Sequence, residues 1–286
     1  MGSQTLVEPV AWVFKILLWG IILFAPFFVN HTKAQCLPQK MPLNYGEVVD
    51  YDVFFKWGIL MPRAGHTRIS FDRSIRDGKS GFKYQLLFQT TKFFDAIFKM
   101  RDTLECFYNQ DYLLLSGSKR VNEGGRYLID DLTFSYAGNR AIVRSHRYTP
   151  YETKIDTLLT VTSGCATDML GPLFFLRTID WDNIRMEEGH STTVVIGRHQ
   201  VKVRFRYKGQ SIVEHDDVKY RTRYFLIDIF DEAFEQNEAA AELWVGDDEN
   251  HIPVKIRTKL KIGYAEVYYR SSSNLKAPLT CRIKMK

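Results

Sequence analysis

"IPVKIRTKLKIG", residues 252–263, decides the fold. Ile252, Val254, Ile256, Thr258, Leu260 and Ile262 fall on one side of an extended chain, with Lys255, Arg257, Lys259 and Lys261 on the other. A period of two held from 252 to 262 is incompatible with a helical stripe, which recurs about every 3.6 residues. "QVKVRFRYKG" (200–209) repeats the design, with Val201, Val203, Phe205 and Tyr207 set against Lys202, Arg204, Arg206 and Lys208. Both segments read as strands with one apolar and one cationic face.

Working outward, the rest of the chain past residue 45 is written in the same idiom. "EVVDYDVFFKW" (47–57), "AGHTRISFD" (64–72), "FKYQLLFQT" (82–90), "RYLIDDLTFSY" (126–136) and "RAIVRSHRY" (140–148) are short aromatic and β-branched runs. Turn residues such as "RDGKSG", "NEGG" and "AGN" separate many of these runs, as hairpins require. One segment, "TDMLGPLFFLRTI" (167–179), reads as a helix. Thr167 or Asp168 is placed to cap its start, Pro172 limits or kinks it, and its apolar circumference predicts burial against a sheet. "TKFFDAIFKM" (91–100) reads as a short helix or a loop, and residues 230–240 as a long acidic loop. The expected class is mainly β. It is an antiparallel, strongly curved sheet, a barrel or a two-sheet sandwich, with one short apolar helix packed against it. A single domain spanning residues 35–286 is expected, with two halves meeting near 165–185.

The first 34 residues read as a signal peptide. The apolar run "ILLWGIILFAPFFV" (16–29) follows Lys15 and is short of the roughly 20 residues that a spanning helix needs. Cleavage after Ala34 makes Gln35 the first mature residue. The rivals are an uncleaved anchor and a lipid-modified Cys36. The formal net charge is +6, and removing Lys15, Lys33 and Glu8 takes one unit away. That mild balance argues against a nucleic-acid partner. The four cysteines, Cys36, Cys106, Cys165 and Cys281, suit an exported chain with disulfides in any of three full pairings, or buried free thiols.

Chemistry is sparsely advertised. "DDENH" (247–251) and "EHDD" (214–217) each gather acids and a histidine between strands. His215, Asp216, Asp248 and His251 are the outside candidates for a metal site, should the two loops meet. The composition fits hairpin turns as well. No G-x-S-x-G, H-E-x-x-H, Walker or G-x-G-x-x-G motif is present, and no cofactor is expected. Arg177, set in "LFFLRT", needs a counter-charge or carbonyls if it is buried, and Asp102 is one candidate partner.

The order of "GEVVDYDVFFKWGILMPRAG", "FKMRDTLECFYN", "DMLGPLFFLRTIDW" and "LWVGDDENHIPVKI" resembles a family of exported Gram-negative, Bacteroidetes-type proteins known only as a domain of unknown function. Its marks are a G-E-x3-Y-x-V start and a D-x4-I-P-V-K-I strand near the C-terminus. The resemblance implies an exported, β-rich envelope protein and supplies no catalytic residues.

The expectation for function is a non-enzymatic periplasmic or envelope protein that binds an apolar or amphipathic envelope component or a protein partner. Arg101, Asp102, Arg177, Trp244, Lys202, Arg204, Lys255 and Arg257 are the candidate ligand-binding residues. Partners in view are an envelope lipid, an acidic glycan or an envelope protein, with peripheral membrane contact. A metal-dependent hydrolase working through the two His/Asp loops and a purely structural envelope module are the alternatives.

Overall fold

The computed structural model describes residues 36–162, 165–182, 184–231, 234–260 and 263–283, without the side chains of 231–237. The chain divides into units 1–31 and 32–286, and every described residue lies in the second. The signal-peptide segment therefore lies outside the described residues, as do Lys261 and Ile262 of the alternating strand.

Eight strands form an antiparallel meander: β1 (Glu47–Lys56), β2 (Arg63–Arg76), β3 (Lys79–Thr90), β4 (Arg101–Asn109), β5 (Leu114–Glu123), β6 (Arg126–Ala137), β7 (Arg140–Tyr148) and β8 (Thr153–Val161). A four-residue helix, α1 (Lys92–Asp95), sits between β3 and β4. After β8 come β9 (Cys165–Thr167), helix α2 (Gly171–Thr178), β10 (Gly189–Ile196), β11 (His199–His215), β12 (Val218–Asp231), β13 (Phe234–Gly246), β14 (Pro253–Lys259), β15 (Tyr264–Ser273) and β16 (Arg282–Ile283). Strand β15 pairs back onto β1, so the hydrogen-bonded order runs β8-β7-β6-β5-β4-β3-β2-β1-β15-β14-β13-β12-β11-β10-β9, with β16 added on β12.

That order forces the curvature. Strands β8 and β9 are the two ends of the path. Laid flat at about 4.8 Å per strand, those ends would stand roughly 65 Å apart. Yet Val161 and Cys165 are four residues apart in the chain and can span at most about 14 Å. The sheet must therefore curl until its ends approach, giving a nearly closed, barrel-shaped sheet. Side chains bridge the seam: Gln200 Nε2 on β11 donates to the Thr160 carbonyl on β8 at 3.2 Å. Val161, Ala166 and Val195 share one core cluster. The sheet is mixed, which corrects the expectation of a purely antiparallel one. β9 pairs parallel to β10, because α2 intervenes as a crossover between them.

Helix α2 fills the interior. Phe174 stacks on Tyr108 with ring centroids 4.4 Å apart and contacts Phe71 and Tyr84 on the meander side. Leu176, Ile179 and the following Trp181 join Phe205, Phe225, Leu243 and Val245 on the other side. Pro172 stands in the first turn and starts the helix, where its missing N–H costs nothing. The Asp168 carboxylate accepts the Leu170 and Gly171 N–H groups at 3.2 and 2.7 Å. It fits because Gly117 lies opposite, where a Cβ would sit 2.5 Å from Asp168. Residues 230–240, expected as a loop, are instead largely the paired ends of β12 and β13.

Candidate functional site

Arg177 points from the last turn of α2 into the barrel and is 1% exposed. Its Nη1 contacts Glu47 Oε1, and its Nη2 lies 3.2 Å from Glu47 Oε2. Nε and Nη2 also donate to the Asn250 carbonyl at 3.2 and 2.9 Å. Burial opposes the guanidinium charge, but Glu47 overrides it and the Arg177 pKa moves up. Burial also raises the phenols of Tyr51 and Tyr84 nearby. The expected partner Asp102 is elsewhere, accepting the Asn122 N–H at 3.2 Å. Glu47 was hidden because it begins β1, 130 positions away, and pairing at that range is set only by the closed topology.

The "DDENH" stretch connects β13 to β14 as expected, but it is not a solvated tip. Asp247 pairs with Arg223 at 2.7 Å. Asp248 accepts the Asn250 N–H at 3.0 Å and the Cys281 N–H at 3.1 Å. Asn250 is fully buried, donating to the Ala277 carbonyl at 3.0 Å and accepting the Ala277 N–H at 3.1 Å. His251 has φ +49°, and its Nδ1 lies 3.1 Å from the Arg177 carbonyl. A carbonyl partner requires Nδ1 to donate, and burial lowers the His251 pKa toward the neutral form. Gly246 admits this packing, since a Cβ there would stand 2.9 Å from the Cys281 sulfur. The loop latches the C-terminal segment and α2 together. A cleft of about 580 Å³ opens beside it, lined by Lys40, Asp182, Arg223, Asp248, His251 and Lys276 among others.

The "EHDD" stretch is a two-residue hairpin turn, with Asp216 and Asp217 at φ +48° and +59°, as a type I′ turn demands. His215 stacks on Tyr268 at 4.0 Å. His215 and His251 are thus each engaged in packing of their own. No group of three or more metal-ligating side chains occurs among the described residues.

Four cations of the ladders, Arg204, Arg206, Lys255 and Arg257, meet carboxylates on neighbouring strands. Arg204 and Arg206 both bind Asp228, at 2.8 and 3.0 Å, and Asp228 is fully buried. Arg257 binds Glu266 at 2.8 Å and Glu242 at 3.3 Å. Lys255 lies 3.6 Å from Glu266 and 5.0 Å over the rings of Trp244 and Tyr268. Burial lowers the Lys255 pKa, partly opposed by Glu266. Lys202 is exposed. Strands β12 and β13 separate the two ladders, so like charges do not face each other. Arg204 thus belongs to one cross-strand cluster, around Asp228, and Trp244, Lys255 and Arg257 to another, around Glu242 and Glu266. The acidic rungs were legible only as separate residues until the register aligned them.

Arg101 holds α1 through Asp95, at 2.6 and 3.0 Å. Hydrogen bonds from Arg101 and Thr90 pull the Asp95 pKa down to about 2. Arg101 and Asp102 also line an open cleft of about 490 Å³ with Asp50, His66, Arg68 and Arg270. A larger cleft of about 880 Å³ lies one step along the sheet. Its walls include Phe98, Val121, Tyr127, Leu128 and Tyr151, and Arg126 and Lys154 stand among its polar members. None of these was singled out as a binding residue from the sequence. They come from two connections and from strands β5, β6 and β8, and only their convergence marks a site. Cys36 and Cys165 form a disulfide, and Cys106 and Cys281 are buried free thiols.

A curled mixed sheet plugged by one helix, with an Arg177–Glu47 pair inside and open clefts on its outside, defines a barrel-like β scaffold. The model of the family described as protein of unknown function (DUF3108) matches residues 50–269, and the chain belongs to that family. No curated protein matches it. Among solved structures, a β-barrel-like protein of domain of unknown function DUF1849 from Brucella abortus superposes with TM-score 0.53 at 10% identity, covering 82% of this chain and 99% of that one. That likeness concerns the fold. A "putative lipoprotein" from Parabacteroides distasonis gives TM-score 0.32 at 9% identity over 83% of this chain and 99% of its own, too low an overlap to transfer anything.

Proposed function

We propose that this chain is an exported, non-enzymatic binding protein of the Gram-negative envelope that holds an amphipathic ligand in the cleft between Phe98 and Tyr151. One observation carries the reading. The Phe98–Tyr151 cleft keeps apolar walls open to solvent, whereas the barrel interior is filled by α2. Apolar walls with a few polar groups at the margin are the composition of small-molecule sites, and Arg126 is placed to meet a polar head. The Cys36–Cys165 disulfide supports export, because such bonds persist in oxidising compartments.

Native mass spectrometry of the protein isolated from its own envelope tests the reading. A bound amphiphile should be retained by the wild type and lost from Tyr151→Ala and Leu128→Gln. A protein that always emerges ligand-free, or a ligand that survives both substitutions, refutes the cleft.

A further inference from the structure

The two ends of the sheet differ in chemistry. At one end lie the connections β1–β2, β3–β4, β5–β6, β7–β8 and β14–β15. They are physically contiguous. Lys56 pairs with Tyr264, the Thr91 N–H bonds the Ala64 carbonyl at 2.9 Å and the Gly124 N–H bonds the Lys99 carbonyl at 2.9 Å. The cleft described above joins Phe98 to Tyr127 and Tyr151. The tips of the β1–β2 and β3–β4 connections are apolar and in water: Ile59 is 99% exposed, Ile97 70%, Phe93 68% and Trp57 61%. At the opposite end, the β2–β3, β6–β7 and β11–β12 turns are Asp77-Gly78, Gly138-Asn139 and Asp216-Asp217.

Charge follows the same division. Lys92, Lys99, Arg126 and Lys259 surround the apolar tips and are exposed. None forms an ion pair with a described carboxylate, unlike Arg204, Arg206, Lys208, Lys255 and Arg257. Among the described acids of these connections, Asp95 is already held by Arg101 and Glu152 by Lys154. Burying several large side chains from separate turns needs a partner that deforms around each of them. An apolar layer beneath an anionic surface meets both demands, taking the side chains below and the lysines at its boundary.

We propose that this end of the barrel docks onto an anionic lipid surface, inserting Trp57, Ile59, Phe93 and Ile97 with Lys92, Lys99, Arg126 and Lys259 against the headgroups. The docking deepens the binding reading by turning the Phe98–Tyr151 cleft toward the bilayer, the source of an amphiphile.

The test uses the chain in the form its cells export, carrying an environment-sensitive fluorophore at Ile59→Cys or, at the far end, at Asn139→Cys. The native thiols do not interfere, being buried or bonded. With phosphatidylcholine vesicles containing one part in three phosphatidylglycerol, the label at 59 should brighten and shift to the blue. The label at 139 should not respond. Partitioning should fall about fivefold in Lys92→Gln, the effect of one cation near such a surface, and should fall in Phe93→Ser. Equal responses at both positions, equal binding to phosphatidylcholine alone, or indifference to both substitutions overturns the proposal. A ligand in the cleft without any vesicle response refutes docking and leaves the cleft reading standing. A vesicle response with an always-empty cleft does the reverse.

Discussion

Replacing Glu47 with alanine would leave Arg177 charged in the middle of the barrel without its carboxylate, facing the Asn250 carbonyl. Both partners of the pair have side chains 2% exposed, so water cannot take over the lost contact without opening the core. Removing one partner of a buried pair costs about 3–5 kcal/mol, because the surviving charge keeps its desolvation penalty. For a domain of this size that corresponds to a fall in Tm of roughly 6–20 °C. Urea unfolding with the disulfide intact measures it as a shift in midpoint at constant slope. The replacement of both partners, Glu47→Leu with Arg177→Met, should recover most of the loss, since an apolar pair of similar volume leaves no charge unpaired. A loss below about 1 kcal/mol for Glu47→Ala would show that Arg177 has another counter-charge. A double variant as unstable as the single one would show that shape, and not charge, is what the site requires.

Asp168 gives a pH signature. Burial, opposed by hydrogen bonds from Cys106 and the start of α2, raises its carboxyl from 3.8 to about 6. Between those values the folded chain holds a proton that the unfolded chain releases, so the contribution to stability is full at low pH and lost as pH rises through about 6. Asp168→Asn should therefore gain on the order of 3 kcal/mol relative to wild type at pH 8 and little at pH 4. An equal difference at both pH values in urea titrations would refute the assignment. Reduction of the Cys36–Cys165 bond, whose cysteines are 129 positions apart, should lower stability by about 2–5 kcal/mol. Unfolding midpoints with and without reductant measure this, and an unchanged midpoint would mean that the N-terminal segment is not held there.

The strands were legible because each carries its own period. Val201 to Tyr207 and Ile252 to Leu260 announce two faces without reference to anything distant. The Asp77-Gly78 and Asp216-Asp217 turns were legible for the same local reason, as residues that tolerate positive φ. Residues 230–240 misled because acids and an alanine run carry no clear period, although the described residues among them end β12 and begin β13. "DDENH" misled differently. Its composition suits a turn in water, and only the C-terminal segment folding over it turns Asp248 and Asn250 into internal ligands for Cys281 and Ala277. The cations of the ladders were legible as residues, but not the carboxylates that pair with Arg204, Lys255 and Arg257, since Asp228, Glu242 and Glu266 become their partners only through the strand register.

The sequence by itself determined that this chain is built of amphipathic strands around one apolar helix, because alternation and helical wheels are properties of neighbouring residues. Tertiary structure alone decided that the sheet curls until β8 and β9 nearly meet, that Glu47 and not Asp102 answers Arg177, and that the exposed apolar tips gather at one end. Each of these depends on which distant strands lie side by side. That order is fixed by the three-residue link between the sheet's two ends and by the return of β15 onto β1.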